Sequence, residues 1–160
     1  MRILVTGAAG FIGSHYVRTL LSGGYPGYED AEVTVLDKLT YAGNLANLDP
    51  VAGRFSFTRG DICDAELLAD LLPGHDAVIN FAAESHVDRS IAGAGDFVTA
   101  NVVGVQVLLD ACRTAGVRAP ESRQTLSTRK HSNAVAPRLR KIQLRQHRRP
   151  KSRFGTVLLQ

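Results

Sequence analysis

Thr6-Gly7-Ala8-Ala9-Gly10-Phe11-Ile12-Gly13-Ser14 is the stretch on which the fold turns. Before it, Arg2 to Val5 is a short apolar run, and its arrest at Thr6-Gly7 predicts a buried strand ending in a tight turn. After it, Phe11, Ile12, Val17, Leu20 and Leu21 recur at helical spacing until Gly23-Gly24 and Pro26 break the pattern. Three glycines between a strand and a helix have separable tasks. Gly7 permits the turn, Gly10 lets backbone approach a pyrophosphate, and Gly13 lets helix and strand pack closely. The helix N-terminus behind them offers unpaired N–H groups and a partial positive charge.

Working outward, Glu32-Val-Thr-Val-Leu-Asp37 reads as a second strand whose final residue is an acid 24 positions beyond Gly13. A carboxylate there accepts hydrogen bonds from ribose hydroxyls and repels an additional phosphate, so the expected cofactor is NAD rather than NADP. Phe55 to Thr58 alternates as a third strand, Ala65 to Leu72 as a helix, Ala77 to Phe81 as a fourth strand, and Phe97 to Ala115 as a long apolar helix stopped by Gly116. Strands alternating with helices, two of them nearly continuous in apolar residues, specify α/β architecture: a partial doubly wound, Rossmann-like parallel sheet of about four strands.

Three further groups fall at the expected C-terminal edge of that sheet. Asp61-Ile62 follows the third strand where an adenine ring would lie, although an aspartate there also serves as a turn former or cap. Phe81-Ala82-Ala83 ends the fourth strand in small residues that leave room for a nicotinamide ribose. Glu84 to Ser90 then concentrates Glu84, His86, Asp88 and Arg89 in one loop, which is either functional or merely solvated. Asn101, in an otherwise apolar helix, needs a partner if buried, either backbone or the cofactor loop.

The chain of 160 residues is 44% hydrophobic and 21% charged, the composition of a globular domain. The apolar run at the N-terminus is broken by Gly7 and Ser14, so neither a secretory segment nor a membrane partner is expected, and the cytoplasm is the default location. Cys63 and Cys112 lack any metal-ligand spacing and read as buried, reduced thiols. The net charge of +4 conceals a division: residues 1–118 sum to −6 and residues 119–160 to +10. One domain and a segment of different character are therefore expected, a dinucleotide-binding half-domain over 1–118 and an irregular basic tail over 119–160. Periodicity stops after Val117, and only Phe154 to Leu159 offers a strand-like run beyond it.

Thr6 to Ser14, Asp37-Lys-Leu-Thr-Tyr-Ala-Gly-Asn44, Gly60-Asp-Ile-Cys-Asp64 and Ala82-Ala-Glu-Ser-His-Val-Asp-Arg-Ser-Ile91, in this order, resemble the dTDP-glucose 4,6-dehydratase family of the extended short-chain dehydrogenase/reductase superfamily. The resemblance covers about three-quarters of the chain. It implies NAD contacts by Phe11, Ile12, Asp37, Lys38, Leu39, Thr40, Asp61, Ile62 and Phe81 to Ser85, with Ser85 also near a nucleotide-sugar substrate. Ala100 stands where the family commonly has threonine. The implied reaction oxidises C4 of the hexose by hydride transfer to NAD, eliminates water across C5 and C6, and returns the hydride to C6. Homodimers through helices such as Phe97 to Ala115 are also implied.

That chemistry requires a tyrosine base, a lysine that lowers its pKa and an acid/base pair, which the resemblance implies are supplied by a Tyr-x-x-x-Lys helix and a Ser-Thr-Asp-Glu strand end. Tyr16, Tyr25, Tyr28 and Tyr41 are followed at that distance by Leu20, Glu29, Glu32 and Leu45, and Ser127-Thr128 is followed by Arg129-Lys130 instead of acids. No catalytic residue is assigned, and the chain alone is expected to be inactive. The abrupt change in composition leads to the expectation of a frameshift near Arg118, with the residues after it read out of register. The alternatives are a fragment of a nucleotide-sugar 4-epimerase, or a non-catalytic dinucleotide-binding module whose Arg138 to Arg153 arm binds polyanions. A solvated tail without nucleic-acid binding is favoured over that arm.

Overall fold

The computed structural model describes residues 1–85 and 94–117, and the backbone of 157–158. Strand β1 (Arg2–Thr6) leads through the glycine turn into α1 (Phe11–Leu21), followed by β2 (Glu32–Asp37), a 3-10 helix (Leu45–Val51), β3 (Phe55–Arg59), α2 (Ala65–Leu71) and β4 (Ala77–Asn80). A continuous helical run then comprises α3 (Ala94–Val98), a π-helical segment (Thr99–Gly104) and α4 (Val105–Thr114), and β5 (Val157–Leu158) completes the described elements. The order across the sheet is β3-β2-β1-β4-β5, with every neighbouring pair parallel. The parallel α/β architecture expected from the strand–helix alternation is the one observed.

Alternation along the strands sends side chains to two separate cores. Ile3, Val5, Val33, Val35, Ala77 and Ile79 face α1, where Val17, Leu20 and Leu21 cover them together with Leu48 and Val51 of the 3-10 helix. Leu4, Leu36 and Val78 face the other way, onto Leu68, Leu72, Leu108 and Cys112. A fully buried leucine such as Leu68 or Leu108 gains about 1.5–3 kcal/mol from leaving water. Both faces of the central strands are thus covered, and their C-terminal ends stay open to a ligand.

The sequence boundaries shift at several ends. β3 runs one residue further, to Arg59, and β4 stops at Asn80, although Phe81 N–H still donates to Thr6 C=O at 2.9 Å. The 3-10 helix was not anticipated; it is short, contains Pro50, and begins where the Asn44 side chain accepts the Ala46 N–H. The last helical run starts at Ala94 and widens at Thr99–Gly104. By length and composition alone Gly95–Thr114, with a mean hydropathy of 1.2, would qualify as a membrane span; 17% of that stretch is buried in the structure, along the Gly104, Leu108 and Cys112 edge. The absence of a fifth strand would leave the outer edge of β4 unpaired; instead Ile79 and Asn80 align with Val157 and Leu158. The expectations for His86 to Ser90 and for 119–156 lie outside the described residues.

Candidate functional site

β1 turns toward β2 on one side while β4 lies on its other side, so the connections diverge above the C-terminal ends of β1 and β4. Open parallel sheets bind ligands at such a divergence. The glycine turn sits against it. A Cβ on Gly7, where φ is +66°, would lie 2.4 Å from Ala82 N, and one on Gly13 would lie 2.3 Å from the Gly7 carbonyl oxygen. No side chain of that size fits at either position. Gly10 is the N-cap of α1 and contributes no side-chain cap, leaving the first-turn N–H groups for an external acceptor.

A cleft of about 390 Å³ opens here, within the range of small-molecule sites. Of the residues singled out from sequence, Gly7, Gly10, Asp37, Lys38, Thr40, Asp61, Ile62, Phe81, Ala82, Ala83 and Glu84 line it. Gly13 acts behind it, in loop–helix packing. Phe11 and Ile12 are 90% and 66% exposed at the start of α1 and do not line the cleft. Leu39 does not line it either, but holds a left-handed conformation with φ of 55° between two residues that do. Ser85 is exposed just beyond the lining, and Asn101 reaches the cleft through Glu84.

Asp37 is buried at the end of β2, and its two oxygens accept the Ala9 and Leu39 N–H groups, each at 2.8 Å. The acid therefore ties the glycine loop to the strand, and a carboxylate oxygen retains further acceptor capacity. Lys38 Nζ lies 2.7 Å from Asp61 Oδ2, and Asp61 Oδ1 accepts the Cys63 N–H at 3.0 Å. The hydrogen bond to Asp61 raises the Lys38 pKa. Burial pushes the Asp61 carboxyl up, but the hydrogen bonds from Lys38 and Cys63 outweigh it, and its pKa falls below the ordinary value. Asp61 thus forms the turn, one of the two roles left open by the sequence, and its carboxylate also lines the cleft.

The opposite wall is held by side chains further back. Thr6 donates its hydroxyl to Asn80 Oδ1, which also accepts the Ala82 N–H. Asn101 makes a reciprocal pair with the backbone of Glu84, accepting its N–H at 2.9 Å and donating to its carbonyl at 2.8 Å. Of the two partners open to Asn101, it takes backbone. The Tyr41 hydroxyl donates to Glu84 Oε2 at 3.0 Å, so Glu84 joins the walls after β2 and β4. Phe81 is backed by Tyr16, ring centroids 5.4 Å apart. Burial, with Tyr25 and Tyr28 nearby, raises the Tyr16 pKa to about 12.

Leu36, Tyr41, Ala42, Gly43, Gly60, Cys63, Asp96, Thr99 and Ala100 also line the cleft. Tyr41 to Gly43 and Gly60 lay inside recognisable sequence blocks, but nothing in their spacing assigned them a wall. Cys63 corrects the expectation of two buried thiols: Cys112 is buried, whereas Cys63 is partly exposed in the cleft, its Sγ 3.6 Å from the Thr99 carbonyl oxygen. Burial followed by the Asp61 charge raises its pKa. Among the described residues there is no cluster of metal-ligating side chains.

A family model described as GDP-mannose 4,6 dehydratase matches residues 4–130. The dTDP-glucose 4,6-dehydratase of Streptomyces niveus is 59% identical over 69% of this chain, and that of Streptomyces antibioticus 58% identical over 73%. The chain spans 34% and 35% of these two relatives, about a third of their length. Among solved structures, the dTDP-glucose 4,6-dehydratase DesIV of Streptomyces venezuelae, crystallised with NAD bound, superposes with a TM-score of 0.71 at 62% identity, covering 73% of this chain and 37% of that one. A UDP-glucose 4-epimerase from Thermotoga maritima gives 0.64 at 34% identity, covering 74% and 36%.

Proposed function

Because the chain belongs to the GDP-mannose 4,6 dehydratase family, we propose that its cleft binds NAD and forms the dinucleotide half of a nucleotide-sugar 4,6-dehydratase site acting on dTDP-glucose. The observation that carries this reading is the meeting of the glycine turn, the uncapped start of α1 and the Asp37 carboxylate around one cleft. Gly7 and Gly10 would admit a pyrophosphate close to backbone, Asp37 would accept the ribose hydroxyls, and Asp61 with Ile62 would meet the adenine. Ala82 and Ala83, small residues that follow Phe81 in the lining, would face the nicotinamide end. NAD, when bound, supplies a hydride acceptor.

Ser85, at the exposed end of this wall, would be the first residue toward the sugar nucleotide. The preference for a dehydratase over a 4-epimerase rests on similarity: 62% identity to the former against 34% to the latter in the two structures compared. The residues of this chain bind and orient; the sequence holds no Tyr-x-x-x-Lys to take the C4 hydroxyl proton. Homodimerisation and a cytoplasmic setting belong to the same proposal.

Calorimetric titration of the full chain with NAD tests the binding half of this reading. Saturable one-to-one binding that is lost in Asp37→Ala supports it; no heat with NAD at millimolar concentration rejects it. Incubation with dTDP-glucose should yield no 4-keto-6-deoxy product by chromatography. Measurable turnover would refute the absence of a catalytic base.

A further inference from the structure

β2 ends in two residues that give opposite instructions about a phosphorylated ribose. Asp37 presents negative charge where a ribose diol is accepted, whereas a basic neighbour is what accommodates a 2′-phosphate. Lys38 is such a neighbour, and both line the cleft. The conflict is resolved by a third residue, 23 positions after Lys38 in the turn beyond β3. Asp61 Oδ2 lies 2.7 Å from Lys38 Nζ, and Oδ1 is anchored by the Cys63 N–H.

We infer that Asp61 is a cofactor-specificity residue: by occupying the Lys38 ammonium, it denies the cleft a free cation for a 2′-phosphate and favours the unphosphorylated dinucleotide. This rests on the dinucleotide reading above and adds to it. Four charged groups belong to this end of the cleft, the carboxylates of Asp37, Asp61 and Asp96 and the Lys38 ammonium, and the local balance is negative. A 2′-phosphate entering here meets Asp37 and finds its potential partner engaged. The Lys38 side chain is 63% exposed, so the pair adds little to stability. Specificity depends instead on the difference between two ligands, and a solvated pair still sets that difference.

The test is calorimetry on the full chain with NAD and NADP at one fixed salt concentration. Unaltered protein should favour NAD. Asp61→Asn retains a side-chain oxygen for the Cys63 N–H while releasing Lys38, and should narrow the NAD/NADP affinity ratio by about three- to tenfold, the size of a charge-assisted hydrogen bond to an exposed lysine. The gain should fade as salt is raised. Adding Lys38→Met to Asp61→Asn should restore the original ratio, and Lys38→Met alone should leave it unchanged.

An unaltered ratio in Asp61→Asn overturns the inference. So does an equal gain with and without Lys38, since Asp61 would then act only by its own repulsion. A single Lys38→Met variant that weakens NADP alone also overturns it, because Lys38 would already be available. NAD binding without these responses removes only this inference. No NAD binding by the unaltered chain removes the dinucleotide reading as well.

Discussion

Alanine at Gly7 meets two obstacles at once, a left-handed backbone and a Cβ 2.4 Å from Ala82 N. Backbone cannot rotate away as a side-chain tip can, so Gly7→Ala should cost at least about 2 kcal/mol. Gly23 is the control: its φ is +77° but nothing lies within 4 Å of the added atom, and its replacement by alanine should cost about 1 kcal/mol. Urea midpoints of the two variants measure the difference; equal midpoints would deny the close contact between turn and fourth strand. Asn101→Ala leaves the Glu84 N–H and carbonyl without their partners, and should destabilise by about 1–3 kcal/mol. Its effect should extend to dinucleotide binding, because the wall it holds is part of the cleft. Calorimetry on a variant that remains folded checks this, and unchanged affinity would confine Asn101 to stability.

Among the elements, the run from α3 through α4 carries the clearest imbalance. One edge is sealed by Gly104, Leu108 and Cys112, while Phe97, Val98, Val102, Val103 and Leu109 are 39–58% exposed. An apolar face of this kind favours association. Sedimentation velocity should find species larger than the monomer, increasing with concentration. Replacing Val102 and Leu109 by lysine should shift the population toward monomer with the circular dichroism preserved. A cooperative, monomeric melt of the unaltered chain at high concentration would contradict the expectation. The sequence showed this helix by its apolar content, but not its widening at Thr99–Gly104, since the same residues suit an α or a π turn. Asn101, which bonds the Glu84 backbone, lies within the widened segment.

Across the whole molecule, the sheet has two unlike ends. The C-terminal ends of its strands form the cleft, and the opposite end buries His75, whose Nε2 is 3.0 Å from Thr34 Oγ1 and whose Nδ1 is 3.3 Å from the Leu72 carbonyl oxygen. Burial lowers the His75 pKa from the ordinary 6.5; the Leu72 carbonyl and Asp76 oppose this and Arg2 adds to it. Well above 6.5 the imidazole is neutral in both folded and unfolded chains and adds no pH dependence. As pH falls below that value, the unfolded chain takes up the proton first, so stability declines until the lowered folded pKa is passed. Urea titrations between neutral and mildly acidic pH should show this decline, and His75→Gln should reduce it. An identical slope in the variant would assign the dependence elsewhere.

The sequence by itself determined the strand–helix alternation, the glycine turn and the acid at the end of β2, because these depend on local periodicity and on residues whose backbone limits are intrinsic. Thr6 to Ser14 and Asp37 could be read from neighbours a few positions away. The tertiary structure decided which walls face one another. Tyr41 meets Glu84 across 43 positions, and Asn101 meets the Glu84 backbone across 17. The same holds for the Lys38–Asp61 pair and for Cys63 in the cleft. Such contacts follow from the order in which parallel strands line up, and no local pattern encodes that order. The glycine stretch therefore named the kind of site, while the packing of β1 between β2 and β4 chose the residues that enclose it.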